Sequence, residues 1–312
     1  MRQRCAAVAE GARFVRIVPE RLDAYARALP LEEIEELAAT SFPDVGGDAE
    51  VLAAFVLALD AINFGSGYFP YLSKLPDSSG YRTIEAALRE HFQSAGPLSA
   101  ADLSSMDAGR TARLLGQHPA REPVAELMRL YAESWRDLGG LVAKRFDGSF
   151  AALVASAAGS AEALVRSLLE MPLYRDIARY DGLAVPFLKR AQLTTADLAA
   201  ALPEDLGRFG DLERLTLFAD NLVPHVLRVD GVLGYERGLL QRIQSSEPIA
   251  AGSPEEVEIR ACAVHAAELL VARANERGAR LSAARLDCWL WTRGAGPLYK
   301  SQPRHRTRTT AY

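Results

Sequence analysis

The chain has 312 residues, of which 49% are hydrophobic and 24% charged, and its formal net charge is −4. This composition supplies a sizeable core and excludes global disorder. Proteins that grip a nucleic-acid polymer are usually basic, so the charge argues against such a partner but leaves room for a small anionic ligand.

Cysteine and histidine spacing indicates neither a disulfide framework nor a zinc site. Cys5, Cys262 and Cys288 are far apart, no CxxC occurs, and the five histidines include no HxxxH. Serine-nucleophile, P-loop and dinucleotide-binding motifs are absent as well. The N-terminus lacks a signal-peptide layout, and the longest apolar run, 51–62, is too short to span a bilayer. We therefore expect a cytoplasmic protein without a metal site or a membrane partner.

Helical periodicity dominates the chain, and alternating strand patterns are almost absent. Turn residues at 41–47 predict a break, after which Asp48 caps a strongly apolar helix. The predicted helices, in chain order, cover 31–38, 49–64, 81–92, a segment starting at 99–102, a long helix from 123 to a stop at 147–148 that could kink at 139–140, 150–169, 187–192, 196–202, 253–275 and 286–291. The two short helices at 187–202 predict a helix-hairpin arrangement. We interpret residues 1–312 as one compact all-α domain, which could form two helical lobes around a cleft.

An acid, Asp220, stands in the middle of an apolar stretch, four residues before Pro224. Because proline interrupts helical hydrogen bonding, one helix should end near Asp220 and another should begin with Pro224 in its first turn. A lone carboxylate at such a junction suits a reaction that develops positive charge, such as formation of an oxocarbenium ion. Asp is also a common helix cap, and from these residues alone the two interpretations are even. Nearby, Asp230 is better explained by a turn, and His225 by a structural role.

Two other groups of residues could face a planar ligand. Asp60, Asn63 and Phe64 have spacings of three and four, which would place them on one helix face. Their carboxylate, amide and ring could hold a guanine-type base, although spacing alone favours core packing. Asp287 and Trp291, one helical turn apart, could contact the edge and face of such a ligand, although paired tryptophans more often lie in a core.

Two clusters of cations could bind phosphate. Lys189 and Arg190 are adjacent near a turn, where they either hold a phosphate or form a solvated helix end. In the tail, Arg304, Arg306 and Arg308 would share one side of an extended segment. That tail either binds phosphate or forms a surface strap that pairs with acids, and we favour the strap. The acids considered for such pairing are Glu255, Glu256 and Glu258.

Several short segments, each weak alone, form a specific ordered set from about Val51 to the last residue. They are 59–64 (LDAINF), 146–150 (FDGSF), 174–176 (YRD), 187–192 (FLKRAQ), 217–220 (LFAD) with 223–224 (VP), 256–260 (EVEIR), 286–291 (LDCWLW) and 305–312 (HRTRTTAY). Together they resemble the queuosine salvage family, the queuosine 5′-phosphate N-glycosylase/hydrolases.

The resemblance implies a fold similar to that of the helix-hairpin-helix DNA glycosylases. It also implies hydrolysis of the N-glycosidic bond of queuosine 5′-monophosphate, which releases queuine without a metal or organic cofactor. Asp220 would be the catalytic acid, as nucleophile or transition-state stabiliser, and Lys189 would contact the substrate. The predicted substrate-binding residues are Asp60, Asn63, Phe64, Lys189, Tyr235, Asp287 and Trp291. The alternatives are a nucleic-acid glycosylase and a non-catalytic queuine-binding protein.

Overall fold

The structure is a computed structural model that describes residues 1–38, 45–118 and 122–312. Most of the regular structure is helical. The helices up to residue 168 are α1 (Arg2–Glu10), α2 (Pro19–Arg27), α3 (Leu31–Ala38), α4 (Ala49–Ala61), α5 (Gly80–Ala95), α6 (Ala100–Ser104), α7 (Ala108–Leu114), α8 (Val124–Arg145), α9 (Phe150–Ala155) and α10 (Ala161–Leu168). The later helices are α11 (Lys189–Ala201), α12 (Glu204–Gly207), α13 (Val223–Val229), α14 (Arg237–Gln244), α15 (Pro254–Asn275), α16 (Ala283–Arg293) and α17 (Pro297–Lys300).

Two short antiparallel strand pairs correct the all-α prediction to a mainly helical fold. Strand β1 (Val15–Ile17) pairs with β4 (Leu233–Tyr235), a contact between distant parts of the chain that no local pattern announces. Strands β2 (Ile177–Tyr180) and β3 (Leu183–Pro186) form a hairpin. The predicted turn at Asp181 and Gly182 joins them, and both residues have the positive φ that a tight hairpin turn requires.

Helix boundaries that depend on local caps were predicted correctly. Asp48 accepts hydrogen bonds from the N–H groups at the start of α4, and Ser253 does the same for α15. Of the predicted break at 41–47, residues 41–44 lie outside the described residues, and Gly46 and Gly47 both have positive φ. Helix α8 continues through Gly139 and ends at Arg145, next to the predicted stop at 147–148, and the missing side chain of Gly139 lets α6 approach closely.

Two predicted helix arrangements are wrong. The alanine-rich segment 150–169 is two helices, α9 and α10, interrupted where Ala158 and Gly159 adopt positive φ. The predicted hairpin at 187–202 is one continuous helix, α11. The Thr194–Thr195 pair does not break the helix, and the Thr195 hydroxyl donates to the Ala191 carbonyl one turn earlier, so it is satisfied within α11.

The buried apolar side chains form two clusters. The first cluster extends from Val45 to Phe218 and includes α4, α8 and α11. The second includes the N-terminal helices, both strand pairs, α13, α15 and α16. Helix α15 is buried along most of its length, and its buried residues include the charged Glu256, Glu258 and Arg260. No helix within the described ranges is long and apolar enough to cross a membrane.

Candidate active site

A cavity of about 2210 Å³ is lined by residues that pack on both hydrophobic clusters. It is larger than a usual small-molecule pocket, which measures roughly 300–1,000 Å³. Most of the predicted site residues line it. These are Asn63, Phe64, Lys189, Asp220, Asp287 and Trp291.

Asp220 is both a cap and a cavity residue. Its Oδ1 accepts hydrogen bonds from the backbone N–H groups of Leu222 at 2.7 Å and Val223 at 2.9 Å, at the start of α13. Pro224 lies in the first turn of that helix, as predicted. Oδ2 has no hydrogen-bond partner among the described residues. One oxygen therefore fixes the carboxylate, and the other is available to a ligand in the cavity.

The segment before Asp220 is not the predicted helix. Residues 215–220 have no regular structure, because side chains from other elements take their backbone groups. Gln192 accepts from the Thr216 N–H at 2.8 Å, and Asp287 accepts from the Phe218 N–H at 2.8 Å. These contacts replace helical hydrogen bonds and hold the segment that carries Asp220 against the cavity.

A buried ion pair joins the segments that carry Asp220 and Lys189. Arg260, on α15, donates to both oxygens of Asp176, at 2.9 and 2.5 Å, and its Nε donates to the Ala219 carbonyl at 2.9 Å. Asp176 Oδ2 also accepts from the Lys189 N–H at 3.1 Å. The pair thus sets the spacing between the first turn of α11 and the residue before Asp220. Arg260 and Asp176 both belong to the ordered short segments of the sequence, which give neither residue a role.

Of the two adjacent cations, Lys189 and Arg190, only Lys189 lines the cavity that the described residues form. Its side chain is 5% exposed, and Nζ lies 3.4 Å from the Asn63 carbonyl oxygen. Burial lowers the pKa of Lys189, while the charges of Asp220 and Asp60 oppose that shift. The ammonium group is therefore surrounded by the acids of the site.

Arg190 points away from the cavity, so the predicted two-cation phosphate site and the solvated helix end are both wrong. Its guanidinium group is 1% exposed and lies 4.6 Å from the Phe64 ring centroid and 4.4 Å from that of Tyr174. It donates to the Ala61 carbonyl at 2.6 Å and to the Leu173 carbonyl. A cation at the C-terminus of α4 satisfies carbonyls that the helix leaves unpaired.

The Asp60 group lies at the end of α4 rather than on one helix face. Because α4 ends at Ala61, Asn63 and Phe64 follow it in a turn. Asn63 Nδ2 donates to Asp60 Oδ1 at 3.2 Å, and Asp60 is fully buried behind it. Burial raises the pKa of Asp60 to about 6. Phe64 is 1% exposed and packs edge-on against Tyr131, so its predicted contact with a base is not visible in this arrangement.

Asp287 and Trp291 face the cavity together from α16, as their spacing predicts. Burial, reinforced by the charge of Asp220, raises the pKa of Asp287 well above its usual range. Trp291 is partly exposed and meets Tyr81 edge-on, with ring centroids 5.9 Å apart. Trp289, by contrast, is 6% exposed and belongs to the second cluster. One tryptophan is therefore core, and the other forms a cavity wall.

Asp197 is a site residue that sequence analysis missed. It lines the cavity two turns after Lys189 on α11, with Leu193 between them on the same face. Burial and the charge of Asp60 raise the pKa of Asp197 well above its usual range. Leu193 and Asp197 follow Lys189 by four and eight residues, a spacing that places all three on one face of a continuous helix. The incorrect division of α11 into two helices hid this relation.

Several other candidate residues do not line the cavity. The Tyr235 side chain lies in β4, with the Arg228 guanidinium 5.6 Å from its ring centroid, and its hydroxyl is buried. His225 contacts the Tyr299 carbonyl and Arg228, in agreement with a structural role. Asp230 ends α13 and accepts from the hydroxyls of two tyrosines, Tyr25 and Tyr299. It is therefore a structural acid rather than a rival to Asp220.

The arginine-rich tail is extended, but it does not pair with the predicted acids. Glu255 pairs with Arg242, and Glu256 with Arg260. Glu258 accepts from three successive backbone N–H groups at 13–15 and from the hydroxyl of Tyr180. The partners of Glu258 lie far away in the chain, whereas Arg260 is only four residues from Glu256 and Arg242 is thirteen from Glu255.

The arrangement can stabilise positive charge beside a planar, hydrogen-bonding ligand. Asp220 presents an unpaired carboxylate oxygen, and Trp291 offers an aromatic wall. The raised pKa values of Asp287 and Asp197 favour their neutral forms, which can both donate and accept hydrogen bonds. Across the described ranges, no group of three His, Cys, Asp or Glu side chains is placed to hold a metal ion.

Comparison with known proteins agrees with this chemistry. The family model described as Queuosine salvage protein matches residues 44–312. A protein of Sphaerobacter thermophilus named Queuosine 5′-phosphate N-glycosylase/hydrolase is 38% identical over 279 residues, which cover 84% of this chain and 82% of that protein. A mouse protein of the same name is 27% identical over 85% of this chain and 83% of its own length. One from Dictyostelium discoideum is 37% identical over 57% of this chain and 56% of its own length.

Proposed function

The chain belongs to the queuosine salvage protein family, and we propose that it hydrolyses the N-glycosidic bond of queuosine 5′-monophosphate. The products are queuine, which becomes available for tRNA modification, and ribose 5-phosphate. One observation supports this proposal most directly. Asp220, Lys189, Asn63, Asp287 and Trp291 come from four separate parts of the chain, and all of them line one cavity.

The chemistry of the substrate explains why a carboxylate is needed. Queuine is a 7-deazaguanine, so the leaving base cannot be protonated at N7. Cleavage of the bond from C1′ to the base therefore depends on stabilising the positive charge that develops on the ribosyl group. The electron pair of this bond goes to the base, which takes up a proton, and water supplies the hydroxyl that remains on C1′.

Asp220 supplies that stabilisation in this proposal. Its Oδ1 is held by two backbone N–H groups, which leaves Oδ2 to face C1′. A fixed carboxylate in a partly dry site interacts more strongly with a cation than it would in water. Whether Oδ2 adds to C1′ or stabilises the cation while water adds, the same free oxygen is required.

In this proposal the base lies between Trp291 and the polar groups of Asn63 and Lys189. The indole covers a planar face, and the carboxyl of Asp287 can bond to a base edge. Asn63 and Lys189 line the same cavity from the end of α4 and the start of α11. Asp60 acts indirectly, because it orients Asn63.

We also propose that the helical fold is similar to that of the helix-hairpin-helix DNA glycosylases, although polymer nucleic acid is not the substrate here. Support for this likeness comes from α9 and α10, two short helices joined by a tight connection through Gly159. It does not come from α11, which is continuous. The net charge of −4 favours a small nucleotide over a polymer.

Substrate comparison tests the proposal. The protein is incubated with queuosine, its 5′-monophosphate and its 3′-monophosphate, and free queuine is followed by chromatography. We expect the fastest release from the 5′-monophosphate. Tight binding of queuine without any release would instead indicate a binding protein. Tight binding of a labelled oligonucleotide with a steep salt dependence would indicate a nucleic-acid glycosylase.

A further inference from the structure

The tail forms an extended strap, residues 303–312, and its side chains from 304 to 308 alternate between two environments. His305 is 2% exposed and Thr307 is fully buried, whereas Arg304, Arg306 and Arg308 are exposed. This alternation is the pattern of an extended segment with one buried face. The three arginines therefore share the outer side, as the sequence predicts for an extended tail.

Contacts on both sides fix the backbone of this strap. Arg228 donates to the Pro303 carbonyl at 2.8 Å, and the Ile249 N–H donates to the Arg306 carbonyl at 2.9 Å. Gly67 lies so close that an added Cβ would be 2.3 Å from the Thr307 carbonyl oxygen. The arginines are thus presented from a backbone that is already in place, and a ligand need not order it.

The strap is also connected to the catalytic segment. Asn221, which follows Asp220, has its side-chain nitrogen 3.5 Å from the His305 carbonyl oxygen. The guanidinium group of Arg304 is close enough to Asp220 for their charges to interact. Arg304 and Arg306 both line the cavity, and Arg308 does not. Arg304 therefore lies beside the reacting end of the proposed site, and Arg306 lines the same cavity.

The guanidinium groups of these two arginines are free to bind a ligand. Neither side chain makes a hydrogen bond or an ion pair with another described residue. Arg82 and Arg89 at the cavity contact Glu85, and Arg285 contacts Glu35. Lys189 lies among the acids of the site. Lys74, Arg280 and Lys300 also line the cavity without an ion pair among the described residues. Arg304 is favoured over these cations because it interacts with the charge of Asp220 and its strap contacts Asn221.

We propose that Arg304 and Arg306 form the subsite that binds the 5′-phosphate of the nucleotide, an inference that rests on the proposed function. The 5′-phosphate and C1′ are carried by the same ribose, so a phosphate subsite must lie near the acid that faces C1′. Arg304 satisfies this requirement. A guanidinium group presents paired N–H donors that match two phosphate oxygens, and charge-assisted hydrogen bonds of this kind are the strong ones. The strap thereby selects a nucleotide over a nucleoside.

Three variants of one strap test this subsite. Arg304→Gln and Arg306→Gln remove cavity arginines. Arg308→Gln is the matched control, since Arg308 lies over the rings of Tyr68 and Tyr71, with centroids 5.5 Å away, outside the cavity. For each, kcat/KM is measured with queuosine 5′-monophosphate and with queuosine. The ratio of the two kcat/KM values reports the contribution of the phosphate contact alone. Any effect of Arg304 on Asp220 changes kcat/KM for both substrates and therefore cancels in the ratio.

We expect Arg304→Gln and Arg306→Gln each to lower this ratio by about 10- to 100-fold, the loss of a charged hydrogen bond, mainly through a higher KM for the nucleotide. Arg308→Gln should leave the ratio unchanged. An unchanged ratio in both cavity variants, or an equal loss in the Arg308→Gln control, would overturn the assignment. If the wild-type protein released no queuine from either substrate, the proposed function itself would fail.

Binding of ribose 5-phosphate, measured by calorimetry, gives a readout that needs no turnover. The wild-type protein and the Arg308→Gln control should bind it with similar affinity, and Arg304→Gln should bind it about 10-fold or more weakly. Equal affinity in the wild-type protein and in Arg304→Gln, or no binding to either, would contradict the phosphate subsite. Circular dichroism and thermal unfolding of each variant establish that the strap substitutions leave the fold intact.

Discussion

Replacement of Asp220 separates its two roles, because each role uses a different oxygen. Asp220→Asn retains a side-chain oxygen that can accept from the N–H groups of Leu222 and Val223, but it removes the charge. Asn and Asp are comparable caps, so we expect a free energy of unfolding close to that of the wild-type protein. Asp220→Ala removes both oxygens and should cost about 0.5–2 kcal/mol of stability through loss of the cap.

Activity should respond differently from stability. The carboxylate Oδ2 has no partner in the described part of the chain, so its charge is available to the developing ribosyl cation. Loss of one such preorganised electrostatic group typically lowers kcat by roughly 10²–10³-fold or more, which corresponds to about 3–4 kcal/mol. Both variants should therefore lose turnover, while Asp220→Asn should still bind the nucleotide.

The assay combines queuine release with urea-induced unfolding of the same preparations. Asp107→Asn is a suitable control, because Asp107 caps α7 outside the cavity and loses charge in the same way. That control should keep wild-type turnover. Near-normal turnover in Asp220→Asn would refute the catalytic role. A large loss of stability in Asp220→Asn would show instead that the charge serves mainly to hold the fold.

Three further substitutions test separate parts of the site. Burial holds the pKa of Asp60 at about 6, above its unfolded value of 3.8, so its favourable contribution is present at low pH and is lost as pH rises toward that value. Between about pH 4 and about pH 7, Asp60→Asn should therefore gain up to about 3 kcal/mol relative to the wild-type protein in urea unfolding, and a pH-independent difference would contradict this. Trp291→Ala should raise KM by roughly 10- to 100-fold with little change in kcat, the loss of one base stack, whereas Trp291→Phe should retain most of the affinity; an unchanged KM in Trp291→Ala would remove the indole from the base site. Arg260→Ala leaves Asp176 buried without its partner and should cost about 3–5 kcal/mol in urea unfolding, and a loss below about 1 kcal/mol would show that the pair does not hold the two segments together.

Sequence alone predicted the features that depend on neighbouring residues. Helices α3 and α15, the cap at Asp48 and the turn at Asp181 all depend on residues within a few positions, and all were located correctly. The shared face of Asp287 and Trp291 is likewise a consequence of helical spacing. Local rules therefore located much of the helical framework.

Features that depend on distant partners were not predicted. Strands β1 and β4 are short, and each is explained only by the other. The segment before Asp220 has the apolar composition of a helix, yet Gln192, Asp287 and Arg260 take its backbone groups. A single sequence does not show that these side chains lie nearby, so tertiary hydrogen bonds overrode local propensity there.

The sequence predicted some of the residues that line the cavity and not others. The ordered short segments located Asp220 and Lys189, which structure then placed at one cavity. Asp197 was missed because α11 was divided at its threonines, and Tyr235 was included although it does not line the cavity. The strap arginines were noted, but only the folded chain shows which of them face the site.

The most direct test of the proposed reaction is a product balance with the wild-type protein. Queuosine 5′-monophosphate is incubated with the protein, and queuine and ribose 5-phosphate are quantified over time against the substrate consumed. We expect both products to appear in equal amounts, at one of each per substrate consumed. Release of inorganic phosphate with the base still attached to the sugar, or no consumption of the nucleotide, would contradict N-glycosidic hydrolysis at this site.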